Sequence, residues 1–176
     1  MTKAEAPAPR RSGCLRCLVI TLSDRASSGV YADRSGPRIC ELLETFFSSR
    51  GVAYVIEHRL LPDDAGQLRG AVLGGKEQGL DAIITTGGTG VGPRDIAPDT
   101  IAPLCDKLIP GIMEHIRAKF GANNPRARLS RAIAGVAGTT QIYTLPGSVR
   151  AVEEYMPEVL ATLEHIADTL HGADAH

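Results

Sequence analysis

The sequence predicts an α/β domain of three layers, with helices on both faces of a mainly parallel, mixed sheet. Two observations predict it. Short apolar, β-branched runs at 15–23, 52–61 and 81–86 alternate with stretches of helical periodicity. Each run also stops abruptly in polar or glycine-rich residues, as strands do when they reach a ligand-binding rim. At 176 residues, with no internal repeat and no compositional break, the chain is expected to form one domain over 14–172. Flexible tails are expected at 1–13 and 173–176.

The elements follow in order. Residues 15–23 (LRCLVITLS) form a buried strand and run into Ser23-Asp24-Arg25 and Ser27-Ser28-Gly29. Asp33 or Ser35 caps a helix to Arg50, with Pro37 near its first turn and Gly51 at its end. Ile39, Leu42, Leu43, Phe46 and Phe47 make one core-facing stripe on it. A second strand, 52–61, ends in Pro62-Asp63-Asp64, and either Asp can cap the following glycine-rich helix at 65–78. The third strand leads into Gly87-Gly88-Thr89-Gly90-Val91-Gly92-Pro93-Arg94-Asp95. A short helix after Pro98, capped by Asp99 or Thr100, precedes another at 110–120, stopped by Gly121. The basic segment 123–131 is a loop or short helix, and strands follow at 132–137 and 140–145. Ser148 caps a C-terminal helix that Pro157 should kink or split.

Composition narrows the function. A net charge of −1 argues against a nucleic-acid partner bound through phosphate neutralisation, and 4% aromatic residues with no tryptophan give few stacking platforms. No run reaches the roughly 18 apolar residues of a membrane span, and the N-terminal segment lacks the apolar core of a secretory signal. Four cysteines include one C-x-x-C, Cys14 and Cys17, which no second pair or histidine pair completes as a zinc site. The five histidines have no ligand spacing, and the chain is expected to be cytoplasmic and reduced. Glycine is in surplus, at 19 residues.

Four of these glycines fall within 87–92. Gly87 and Gly92 have the Walker spacing, but Pro93-Arg94 stands where Lys-Ser/Thr is needed, and Gly88, Gly90 and Gly92 give G-x-G-x-G rather than G-x-G-x-x-G. What remains is a backbone able to turn successive N–H groups toward an anion, with Thr86 and Thr89 adding hydroxyls and Arg94 a charge. Pro146-Gly147-Ser148 opens the last helix, a second place where free N–H groups meet a positive dipole end. Asp63 and Asp95 would repel an anion unless a metal lies between, and that combination suggests a Mg-nucleotide. Gly29 and Gly36 flank the first loop, and Gly66, Gly70 and Gly74 recur on one helical face, where close packing is the expected reason.

The strings TLSDRASSGVYADRSGP (21–37), LLPDD (60–64), TTGGTGVGPRDIAPDT (85–100), PG (110–111), LSRAIAG (129–135) and LPGS (145–148) resemble the MogA/MoaB-type proteins of molybdenum cofactor biosynthesis, most closely the molybdopterin adenylyltransferases. The resemblance covers about 15–170. It implies a molybdopterin-binding-like fold, a homotrimer, and transfer of AMP from Mg-ATP to the phosphate of molybdopterin with release of pyrophosphate. It further implies a hand-off of the product to a metal-insertion protein. On this resemblance Asp63 and Asp95 match essential acidic positions and candidate Mg²⁺ ligands, and Ser130 matches a pterin-binding serine. Substrate contacts are then expected from Ser23, Asp24, Ser28, Gly36, Thr86, Gly87, Gly88, Thr89, Gly90, Arg94, Pro146, Gly147 and Ser148. The other reading is a MoaB-like pterin- or nucleotide-binding assembly protein without catalysis.

Overall fold

The computed structural model describes residues 13–172, so the expectations for 1–12 and 173–176 lie outside the described residues. Six strands form one sheet in the order β2-β1-β3-β6-β5-β4. They are β1 (Leu15–Leu22), β2 (Tyr54–Leu61), β3 (Ala82–Thr86), β4 (Lys107–Leu108), β5 (Ala134–Ala137) and β6 (Thr140–Leu145). The pairs β1–β2, β1–β3 and β3–β6 are parallel, and β4–β5 and β5–β6 antiparallel. The mixed, mainly parallel sheet is as the sequence predicts. Antiparallel β5 follows from the tight Gly138-Thr139 turn into β6, and Gly138 takes the positive φ of 63° that such a turn demands.

Alternation along β1 builds two cores. Cys17 and Val19 face α2 (Ser35–Arg50), α5 (Pro110–Gly121) and α6 (Val149–Leu170), where they meet Ile39, Leu43, Phe47, Met113 and Met156. Leu18, Ile20 and Leu22 face the other way, onto Leu68 and Val72 of α3 (Ala65–Glu77) and Ala97 and Ile101 of α4 (Ala97–Ile101). Cys17 lies inside the first core, where burial pushes its thiol up to about 12, while Cys14 is exposed.

The caps settle what the sequence left open. Asp33 Oδ1 accepts from the N–H groups of Ser35 and Gly36, so Asp33 closes the start of α2. Gly51 ends that helix in the left-handed conformation, φ 64°. Asp64 Oδ1 accepts from Gln67 N at 2.8 Å and caps α3, which frees Asp63. Ser148 caps α6 through Ala151 N.

Other expectations need correction. The segment after β1 is not only loop: Asp24–Ser27 form a single helical turn, α1, capped by Ser23. Helix α4 starts at Ala97, before Pro98, because proline suits a first turn. Asp99 therefore sits inside α4 and not at its cap. Helix α6 runs unbroken through Pro157, held by buried Val152, Tyr155, Met156, Val159 and Leu163. That burial outweighs the roughly 3 kcal/mol a helical proline costs. Residues 123–131 hold a 3₁₀ turn at Pro125–Leu129.

Close packing does not explain two of the three spaced glycines of α3, Gly70 and Gly74, although a Cβ on Gly66 would lie 3.3 Å from Asp64 Oδ1. A Cβ built on Gly70 or Gly74 meets nothing within 4 Å, whereas one on Gly75 would lie 2.8 Å from Ile83 Cδ1. Gly70→Ala and Gly74→Ala should each raise stability in urea unfolding, by about 0.5–1 kcal/mol. Gly87→Ala should lower it by at least about 1–3 kcal/mol, because φ is 101° there and the new methyl would enter the Leu22 carbonyl.

Candidate functional site

Strand order places the site. From β1 the chain reaches β2 on one side and β3 on the other, and ligands bind beyond the strand ends at such a divide. Here three parallel strands end side by side, Thr21 opposite Thr86 and Thr86 opposite Leu145. Their following residues meet as bare backbone. Gly87 packs on the Leu22 carbonyl and donates its N–H to Leu145 O at 2.9 Å, and a Cβ on Gly147 would lie 3.2 Å from Gly87 Cα. Thr86 Oγ1 donates to Pro146 O at 2.9 Å and ties the two loops together from below.

The glycine loop then divides its backbone groups by direction. Gly87 and Gly88 take positive φ, 101° and 62°. The carbonyls of Gly88 and Thr89 accept from Ala97 N (3.0 Å) and Arg131 N (2.8 Å), and that of Gly90 accepts from Arg131 Nε (2.7 Å). A trans peptide points its C=O and N–H in opposite directions. The N–H groups of Thr89, Gly90 and Val91 therefore face away from the elements that hold the carbonyls. They and Gly88 N find no acceptor among the described residues. This is the donor row expected of an anion nest.

Two hollows flank this corner, and Gly147 lines both. The larger, about 420 Å³, has the glycine loop and Asp95 as its floor. One wall is the 3₁₀ turn with Arg126 and Ser130, and the other is the first two turns of α6 with Ser148, Arg150 and Tyr155. The smaller, about 240 Å³, lies between Ser23, Tyr31 and the start of α2 at Asp33–Ser35. Ser23 Oγ caps α1 through Ala26 N and meets the Tyr31 hydroxyl at 2.8 Å. Ser130 Oγ lies 3.5 Å from Thr89 Oγ1.

The expected site residues thus separate into two groups. Ser23, Gly87, Gly88, Thr89, Gly90, Asp95, Ser130, Pro146, Gly147 and Ser148 line a hollow. Asp24, Ser28, Gly36, Asp63, Thr86 and Arg94 line neither. Asp24 and Asp63 bind each other reciprocally: Asp24 N donates to Asp63 Oδ2 (3.1 Å) and Asp63 N to Asp24 Oδ1 (2.9 Å). Arg94 pairs with Asp24 Oδ2, so its charge is spent on the acidic pair. Ser28 Oγ donates to the carbonyl of Asp24 at 2.7 Å. Gly36 is buried over Thr21, His58 and Asp33, where any Cβ would collide. His58 Nε2 lies 3.0 Å from Thr21 Oγ1 and 3.1 Å from Asp33 Oδ2, which ties the start of α2 to the sheet.

Asp95 folds back into its own loop. Its Oδ2 accepts from Gly92 N at 2.8 Å, and a Cβ on Gly90 would lie 2.7 Å from that oxygen. Asp63 Oδ1 and Asp95 Oδ1 accept no hydrogen bond among the described residues. No group of three or more His, Cys, Asp or Glu gathers as a metal cage among the described residues. Each carboxylate keeps one oxygen open, and Mg²⁺ can bind through as few as one carboxylate and complete its shell with phosphate and water.

Sequence reasoning missed Arg126, Arg150 and Tyr155 as wall residues. The basic character of 123–131 signalled the first; the spacing of Ser148, Ala151 and Tyr155 on one helical face signalled the last. Arg150 is paired with Glu154 at 2.9 Å, whereas the Arg126 side chain has no partner among the described residues.

The chain is similar to known proteins over most of its length. Residues 18–165 match the family described as "Probable molybdopterin binding domain". The chain is 35% identical over 152 residues to gephyrin of Dictyostelium discoideum, matching 84% of this chain and 21% of that one. It is 32% identical over 155 residues to the molybdopterin adenylyltransferase of Helicobacter pylori, matching 88% of this chain and 86% of that one. A solved MogA structure superposes with a TM-score of 0.80 at 33% identity, over 88% of this chain and 99% of that one. The chain thus spans about a fifth of the gephyrin and most of the adenylyltransferase.

Gly90→Ala tests the folded-back carboxylate. The new methyl displaces the end of one flexible side chain, so unfolding free energy should change by less than about 1 kcal/mol. The Gly92 amide should nonetheless lose its protection in hydrogen exchange, because its acceptor has moved.

Proposed function

This chain belongs to the molybdopterin-binding family of molybdenum cofactor proteins, and from that membership we propose that it is a molybdopterin adenylyltransferase. The observation that carries the reading is the pair of hollows meeting at Gly147 beside unpaired loop N–H groups. Two substrates need two cavities, and the reacting phosphates need hydrogen-bond donors where the cavities meet. The relative in Helicobacter pylori, similar over 88% of this chain, carries the name of that activity.

In this reading the phosphate of molybdopterin attacks the α-phosphorus of ATP. The new P–O bond forms in line with the bond that breaks, and pyrophosphate leaves with its electron pair. No covalent enzyme intermediate is needed, so the protein's work is positioning and charge stabilisation. The N–H groups of residues 88–91 and the first turn of α6 supply fixed donors that need no reorganisation as charge shifts. Asp63 and Asp95 are the residues that would hold Mg²⁺, which when bound neutralises phosphate charge. Arg126, with no carboxylate partner among the described residues, adds a cation at the mouth of the larger hollow.

On the same reading the protein acts as a homotrimer, in the cytoplasm, and passes its product to a metal-inserting partner. No helix among the described residues is long and apolar enough to cross a membrane.

Incubation with molybdopterin, ATP and Mg²⁺ should yield adenylylated molybdopterin and pyrophosphate. Pterin binding without product would reassign the chain to a non-catalytic assembly role. Asp63→Asn and Asp95→Asn should each lower turnover at least about tenfold at unchanged thermal stability. Wild-type rates in both would remove the metal-holding role.

A further inference from the structure

Arg131 lies 41 residues from Gly90 in sequence, yet it bonds to the glycine loop at three points. Its backbone N–H donates to Thr89 O at 2.8 Å. Its Nε donates to Gly90 O at 2.7 Å and its Nη2 to Asp95 O at 2.6 Å. Nη1 reaches both carboxylate oxygens of Asp99 on α4, each at 2.8 Å. A guanidinium is flat and its donors are fixed in a fork, so its bonds fix two backbone carbonyls, those of Gly90 and Asp95, and the Asp99 carboxylate relative to one another. Arg131 itself lines neither hollow.

We propose that Arg131 is a positioning residue, which sets the direction of the loop's N–H groups by holding their carbonyls from behind. The inference rests on the reading of the loop as the phosphate cradle and adds the residue that shapes it. The physical case is the planarity of the peptide. With Thr89 O and Gly90 O fixed on Arg131, the N–H groups of Gly90 and Val91 have one direction left, away from it. Gly88 and Gly90 are free to rotate in the unrestrained chain, so a glycine loop has the conformational freedom to form a nest and little tendency to keep one. Asp99 neutralises the guanidinium, which leaves the Asp95 carboxylate to Gly92 N and the site while Arg131 takes only the Asp95 carbonyl.

Lysine cannot replace such a fork, since one ammonium cannot reach Gly90 O, Asp95 O and Asp99 in a plane. The test uses Arg131→Lys, Arg131→Gln and Arg131→Ala in the full chain. It reads binding of inorganic pyrophosphate by calorimetry and amide exchange by mass spectrometry. Expected in each is a fall in pyrophosphate affinity of about 10- to 100-fold, the scale that misplacement by about 1 Å produces. Faster exchange should be confined to 87–96. Guanidinium ion at low millimolar concentration should restore part of the affinity of Arg131→Ala and of no other variant. A merely structural arginine would instead loosen β5 and β6 as well, with no rescue. Wild-type affinity, or exchange spread through the sheet, overturns the proposal.

Should the Arg131 variants not fold, Asp99→Asn carries the test. A smaller loss, about threefold, with exchange again limited to the loop supports the proposal, and wild-type values on both measures overturn it. If the unaltered protein binds no pyrophosphate, the cradle reading fails. Exchange at 87–96 then still decides whether Arg131 shapes the loop.

Discussion

The site depends on one steric constraint, the approach of Gly87 to the end of β1 with no side chain between. Parallel neighbours β1, β3 and β6 end at one level, so the residues that follow them must share one small volume. Only backbone fits there. Gly87 rests on the Leu22 carbonyl, Gly147 rests on Gly87, and Thr86 anchors Pro146. Because this corner is filled by peptide groups, its chemistry is that of peptide groups: aligned donors with fixed direction, at a place where two hollows adjoin.

Charge is arranged around that corner in self-contained units. Asp24 and Asp63 satisfy each other's backbone N–H, Asp24 is matched by Arg94, Asp99 is matched by Arg131, and Glu154 is matched by Arg150. Asp95 is held by an amide rather than a cation. The acidic groups therefore keep fixed positions without cancelling the pull of the loop on an anion. Most of these pairs are solvent-exposed and contribute little stability, on the order of 0–1 kcal/mol each; their effect is geometric.

Much of the fold was legible because it is written in local pattern. The β-branched runs, the stripe on α2, the end of that helix at Gly51 and the Ser148 cap each rest on a few consecutive residues. Adjacent candidates were harder. Nothing in Pro62-Asp63-Asp64 says which carboxylate turns inward to the helix, and the structure gives that role to Asp64. The glycines of α3 misled for a related reason, since spacing shows that residues share a face but not what covers it. Within the site, the loop could be read from its composition and Arg126 from its basic surroundings, whereas the role of Arg131 could not. That role arises from contacts between segments far apart in sequence, and an arginine carries no mark of the carbonyl it will meet. The proline in α6 shows the converse, a strong local signal overruled by the burial of five neighbours.

Gly147 belongs to both hollows, a party wall one residue thick. Whatever occupies one side sets the surface that the other side presents. Any shift of that residue on binding makes the affinity on each side depend on occupancy of the other, and by the same factor in both directions. A wall without a side chain keeps this dependence mechanical, since no rotamer stands between to absorb the movement.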